Sequence, residues 1–221
     1  MLALWAKTTG SAGYVQSLSP AAWFRYGVGI TVTGAGVSQW SDQSGNARPL
    51  LQATDTNRPA LQADNSILFD GVDNFLKTDT FTLDQPCTLY LLAKQATWTI
   101  NDVLAAGFTT ATGRIWQRTA TPTIALFSGS ATASNANLAV DTYGAIAAVF
   151  NGASSVLQVN NTTPTTGDAG AANLAGLTLG ADGAPASYGN VQVKEFIAFA
   201  AAHDANQRAA VIAYLRSVGG V

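Results

Sequence analysis

A chain of 221 residues with a net charge of −2 has 48% apolar and only 11% charged side chains, against a usual charged share of about 25%. Ser, Thr, Asn, Gln and Gly must therefore cover its surface, as in a secreted or virion protein. Without a basic run a phosphate backbone finds no electrostatic footprint, so nucleic acid is excluded as a partner. The single Cys87 excludes an internal disulfide and reads as a small buried hydrophobe.

Residues 1–17 read as an N-terminal arm, flexible in composition from Thr8 to Gly13, with Trp5 and Tyr14 as its large anchors. Its apolar start, 1–7, is too short for the core of a signal peptide and has no basic residues ahead of it. The domain proper is read as 18–221. Strands are predicted at 22–26, 27–33, 37–40, 49–52, 66–70, 75–78 and 88–94, the last a continuous apolar run expected at the centre of a sheet. Others follow at 102–106, 115–118, 123–127, 143–150, 156–159, 177–180 and 191–200. Asn151-Gly152 between two apolar runs is the strongest hairpin signal, and 128–137 and 162–176 read as loops.

Helical periodicity is confined to the C-terminal end. Asp204 can cap a helix over 204–217 with Gln207 at N3, and Val211, Ile212, Leu215 and Val218 fall on one stripe until Gly219-Gly220 stops it. Strands spaced by turns, with no helix between them, predict an all-β fold: antiparallel sheets stacked as a sandwich, plus one C-terminal α-helix. No run of about 18 apolar residues offers a helical membrane span, so a membrane is not expected as a partner.

Two stretches bring an Asp into a Gly-containing loop: Trp40-Ser41-Asp42-Gln43-Ser44-Gly45-Asn46 and Leu68-Phe69-Asp70-Gly71-Val72-Asp73-Asn74-Phe75-Leu76. With Leu18-Ser19-Pro20-Ala21-Ala22-Trp23-Phe24 and Lys194-Glu195-Phe196-Ile197-Ala198-Phe199 before the capped helix, they span 18–216 in a consistent order. In these motifs the chain resembles the laminin-G-like, concanavalin-A-like jelly-roll domains of bacteriophage and bacterial surface proteins. It departs from them at Asn46-Ala47, where a second glycine is usual, and at Asn74, where a second Asp is common. The resemblance implies a jelly-roll sandwich of two antiparallel sheets, with roles in glycan binding or particle assembly.

The chemistry available is sparse. Related sandwiches include laminarinase-type hydrolases with paired glutamates, and this chain has one glutamate, Glu195. The lone His203, just before the helix cap, is expected to face solvent. Asp70 and Asp73 read as turn-capping carboxylates, with calcium the one cofactor they could take. For a glycan, which needs an aromatic platform flanked by polar donors, the candidates are Trp98, Arg114, Trp116 and Tyr188, with Arg118 beside them; Trp23 and Trp40 read as core. The functional expectation is a non-catalytic structural or decoration protein of a phage or phage-like particle, on the head surface or a tail fibre. It would be a homo-oligomer, not an enzyme, partnered by capsid or tail proteins and located on the virion or an extracellular particle surface. The alternative is a module binding cell-surface glycans for host adsorption, and a glycoside hydrolase is the most remote reading.

Overall fold

The structure, a computed structural model, describes residues 11–110, 112–130 and 133–221, so Trp5 and most of the expected arm lie outside the described residues. In chain order the helix α1 (Ala12–Ser17) precedes β1 (Ala22–Phe24), β2 (Ile30–Thr33), β3 (Gly36–Trp40), β4 (Leu50–Leu51), β5 (Ala60–Leu61), β6 (Ile67–Asp70), β7 (Leu76–Lys77) and β8 (Cys87–Gln95). They are followed by β9 (Val103–Ala106), β10 (Arg114–Gln117), β11 (Ile124–Phe127), β12 (Ser134–Asn135), β13 (Gly144–Phe150), β14 (Ser155–Val159), β15 (Thr165–Gly167), β16 (Thr178–Leu179), β17 (Asn190–Phe199) and the helix α2 (Ala205–Gly219).

The strands form two antiparallel sheets. The first, of eight strands, runs β15-β14-β13-β8-β17-β6-β5, with β1 also paired to β17; the second, of nine, runs β12-β11-β10-β9-β16-β7-β4-β3-β2. Between them lies the main core, in which Phe24 packs 5.8 Å from Trp40 and 5.9 Å from Phe196, centroid to centroid. Each fully buried side chain of this kind contributes about 1.5–3 kcal/mol.

β8 lies centrally, between β13 and β17, as its unbroken apolar run predicts. It is covered on both faces because α2 packs on the side away from the core. There Val211, Ile212, Tyr214 and Leu215 bury against Trp23, Tyr90, Leu92, Ile197 and Phe199, and Val15 of α1 joins them. The capping box forms as expected: Asp204 accepts from the Gln207 backbone N–H at 2.8 Å, and the Gln207 side chain accepts from the Asp204 N–H at 2.9 Å. Gly220, at φ 68°, then ends the helix in the left-handed conformation that favours glycine.

Two bulges set which side chains reach the outer faces. On β17 the pairing with β8 slips between Val193 and Glu195, so Lys194 is the extra residue. On β9 the pairing with β10 slips so that four residues, Val103 to Ala106, oppose the three from Arg114 to Trp116. Leu104 and Ala105 consequently both lie in the core cluster, while Val103 and Ala106 lie outside it with Trp116.

The short elements were not foreseen. β5, β12 and β15 are edge or near-edge strands of two or three residues, the last two inside stretches read as loops, and α1 has six residues, too few for a periodic signal. What fixes α1 is a cap, the Ser11 hydroxyl accepting from the Tyr14 N–H at 3.1 Å, together with burial of Val15.

Candidate functional site

Straight across the second sheet, Phe127, Arg114, Ala106, Thr178, Lys77 and Leu51 stand in register on β11, β10, β9, β16, β7 and β4. Their chain neighbours Leu126, Ile115, Ala105, Leu179, Leu76 and Leu50 belong to the core. Side chains alternate along a strand, so the row itself faces outward. With adjacent strands about 4.8 Å apart it spans about 24 Å. One step along, Trp116 stands between Ala125 and Val103.

On this face Arg114 lays its guanidinium against two rings, 4.3 Å from the centroid of Trp116 and 4.4 Å from that of Phe127. Arg118 adds a second guanidinium 4.8 Å from the Trp116 ring. Under this cover Trp116 is only 6% exposed. At the other end Lys77 donates to the Gly183 carbonyl at 2.6 Å and sits 3.8 Å from the Phe108 ring centroid.

Between these cations the chain leaves β16 and returns as the loop 180–189. Gly180, at φ 81°, makes the turn, and a Cβ there would run into the Phe69 ring. Gly180 and Val103 donate to the carbonyls of Leu104 and Ser187, which fastens both ends of the loop beside β9. The loop carries Asp182, 5% exposed. Burial raises its carboxyl pKa, against the opposing pull of Arg114, the backbone amides of Ala186 and Ala184, and Lys77. Burial likewise lowers the pKa of Arg114 and of Lys77, and Asp182 opposes both shifts.

Three buried polar atoms here have no hydrogen-bond partner among the described residues: Arg114 Nε, Trp116 Nε1 and Asp182 Oδ1. A buried polar group left unpaired costs about 1–3 kcal/mol, and three of the five such side-chain atoms among the described residues gather here.

Of the residues expected to hold a glycan, Arg114 and Trp116 meet on this face. Tyr188 flanks it, its backbone bridging to Val103 and its hydroxyl donating to Pro185 O at 2.9 Å. Trp98 lies at the far end of the same hairpin, half-buried, its indole donating to Thr123 O at 3.2 Å. Trp116 is not an open stacking platform, because the arginines cover it. Sequence reasoning missed Lys77, Phe127 and Asp182. The alternation of Arg114, Trp116 and Arg118 signals a shared face, but nothing in the Ala- and Gly-rich loop marks Asp182.

Asp70 Oδ1 accepts from the backbone N–H groups of Val72, Asp73 and Asn74, the turn-capping role expected of it, with Gly71 at φ 76°. No group of three or more His, Cys, Asp or Glu side chains that could hold a metal occurs among the described residues. His203 corrects the expectation that it faces solvent: it is 4% exposed, paired through Nδ1 with the Tyr90 hydroxyl at 2.8 Å, and burial lowers its pKa to about 4. Glu195 is buried and accepts from Trp23 Nε1 at 2.6 Å and the Tyr214 hydroxyl at 2.8 Å. Cys87 is buried and burial pushes its thiol up to about 12, an inert structural cysteine.

No protein-family model and no curated protein matches the chain. Solved structures do. Trypanosoma rangeli sialidase superposes with a TM-score of 0.61 at 10% identity, over 90% of this chain and 33% of that one. The same enzyme in complex with sialic acid gives 0.60 at 11% identity over the same shares. An arabinofuranosidase complexed with arabinofuranosyl-α-1,2-xylobiose gives 0.61 at 11% identity, over 82% of this chain and 51% of that one. The chain thus spans about a third of the sialidase chains and about half of the arabinofuranosidase chain. At these identities the likeness establishes a shared β-sandwich fold.

These neighbours correct the functional expectation. They are carbohydrate-cleaving enzymes and lend no support to a non-catalytic structural or decoration protein of a phage-like particle, nor to the expectation that the chain is no enzyme. That expectation rested on the missing glutamate pair together with the lone His203 and the absence of a nucleophile or metal motif, which exclude only some arrangements. Paired Asp or Glu residues are not universal in glycoside hydrolysis, since sialidases use a tyrosine nucleophile. Nor does counting glutamates detect a buried aspartate with a raised pKa.

Proposed function

We propose that the chain is the β-sandwich unit of a carbohydrate-active protein of the glycoside hydrolase kind, engaging its glycan on the outer face of β9, β10 and β11 beside the loop 180–189. The observation that carries this reading is the concentration of unpartnered buried polar atoms on Arg114, Trp116 and Asp182, where rings and charged donors meet as a sugar requires. The fold shared with a sialidase and an arabinofuranosidase supports it, as does the laminin-G-like resemblance, and cell-surface glycans fit it as partners.

Asp182 is the residue we assign as acid. Burial raises its carboxyl pKa, the direction in which a proton donor to a leaving oxygen is tuned. Arg114 and Arg118, stacked on Trp116, offer the sugar guanidinium N–H donors that no described residue occupies.

The test is a screen of the purified chain against immobilised glycans, with chromogenic α-L-arabinofuranosides and sialosides as reporters of cleavage. Binding or turnover that disappears in Trp116→Ala supports the reading. A folded chain that neither binds nor cleaves any carbohydrate overturns it.

A further inference from the structure

The described arginines occupy three settings. Arg48, Arg58, Arg208 and Arg216 each donate guanidinium hydrogen bonds to carbonyl or carboxylate oxygens or a side-chain amide. Arg25 lies over Trp23 and near Glu195, where it opposes the rise that burial imposes on that carboxyl's pKa. Arg114 and Arg118 are set apart by sharing a single ring. Stacking on Trp116 fixes both, and neither guanidinium donates a hydrogen bond to, or forms an ion pair with, another described residue.

A guanidinium plane pinned by a ring keeps its N–H edge free, and that edge matches a carboxylate in two-point geometry. Pinning also removes most of the rotamer entropy that an exposed arginine would lose on binding. The charge balance agrees. Arg114, Arg118 and Lys77 are set against one carboxylate, Asp182, whose pKa is already raised, so the face has cations in excess although the whole chain carries −2.

We propose that the glycan engaged on this face bears a carboxylate, a uronic-acid-type or other acidic sugar, which docks on the free edges of Arg114 and Arg118. The inference rests on the carbohydrate reading above and narrows it to a substrate class.

The experiment compares three probes on the same chain: oligogalacturonides, the same oligosaccharides with every carboxylate methyl-esterified, and a sulfated galactan. The free acid is expected to bind at least about tenfold more tightly than its ester, because each charge-assisted bond is worth about 1.5–3 kcal/mol. That preference shrinks as salt rises from low to high concentration. It disappears in Arg118→Gln, and it falls in Arg114→Lys, which keeps the charge but loses the fork; thermal melts confirm that both variants are folded.

Equal binding of acid and ester overturns the inference while leaving the carbohydrate reading standing. Sulfated galactan bound as tightly as the acid overturns the carboxylate specificity. No binding of any of the three, with neutral glycans bound in the wider screen, overturns the inference alone, and no binding anywhere overturns both.

Discussion

The face beneath α2 and the face beside the loop 180–189 treat buried polar groups in opposite ways. Beneath α2, on the first sheet, Glu195 accepts from Trp23 and Tyr214 and His203 pairs with Tyr90. On the second sheet Arg114, Trp116 and Asp182 keep three buried polar atoms unpaired. Similar residue types thus appear in both places, an aromatic N–H and an acid in each, and only the bonding differs. A satisfied network fixes the docking of a helix; an unsatisfied one is held ready for a partner.

Substitutions can break this contrast. The largest effect is expected from Asp182→Asn, which should lower hydrolysis roughly 10²- to 10⁴-fold while leaving the melting temperature unchanged or higher, because a buried charge is removed. Steady-state kinetics with a calorimetric scan checks both halves, and unaltered turnover would remove Asp182 from the chemistry. The opposite pattern is expected across the molecule. Glu195→Ala strands the Trp23 and Tyr214 donors and should cost about 3 kcal/mol in denaturant unfolding, with glycan affinity intact in the variant that remains folded.

His203 sharpens the same side through pH. The folded chain holds its imidazole neutral down to about pH 4, whereas the unfolded chain protonates near 6.5. The unfolded state therefore binds more protons in that window, and the contribution of neutral His203 to stability is lost as pH falls from 6.5 to 4. The stability gap between wild type and His203→Gln should narrow by about 3 kcal/mol across it, read from urea titrations at each pH. Gap-free parallel curves would contradict the assignment.

Smaller still, Trp116→Phe keeps a smaller ring under the arginines and removes an unpaired N–H. It should change stability by about 0.5 kcal/mol or less and weaken glycan binding by less than about 1 kcal/mol, through the looser seat that a smaller ring gives the two arginines. The smallest effect belongs to the Asp70 loop, whose carboxylate already accepts from three backbone N–H groups. Chelator or added calcium should leave the melting curve in place, and a calcium-dependent rise would restore a metal site there.

The sandwich was legible because its signals are long and local. The apolar run of β8, the Asn151-Gly152 turn and the Asp204 capping box each announce themselves within a dozen residues or fewer. β5, β12 and β15 did not, since an edge strand of two or three residues is defined by its neighbour's backbone and not by its own pattern. The candidate face was half legible. Arg114, Trp116 and Arg118 alternate along one strand, whereas Asp182 and Lys77 reach them only through the order in which strands pair. His203 was misread for the related reason that its hydrogen-bond partner, Tyr90, lies on a strand 113 residues away in the chain.

The bulge on β9 bears on how this protein can change in length. Four residues of β9 already span three of β10, so losing Leu104 would return the pairing to ordinary register, with Arg114 and Trp116 still pointing outward. Losing Ile115 would do the reverse, driving one of those two side chains into the core. The same sheet therefore contains, on adjacent strands, a position where a deletion can be absorbed and one where it destroys the binding face. A library of single-residue deletions scored for carbohydrate binding would find survivors on β9 and none on β10.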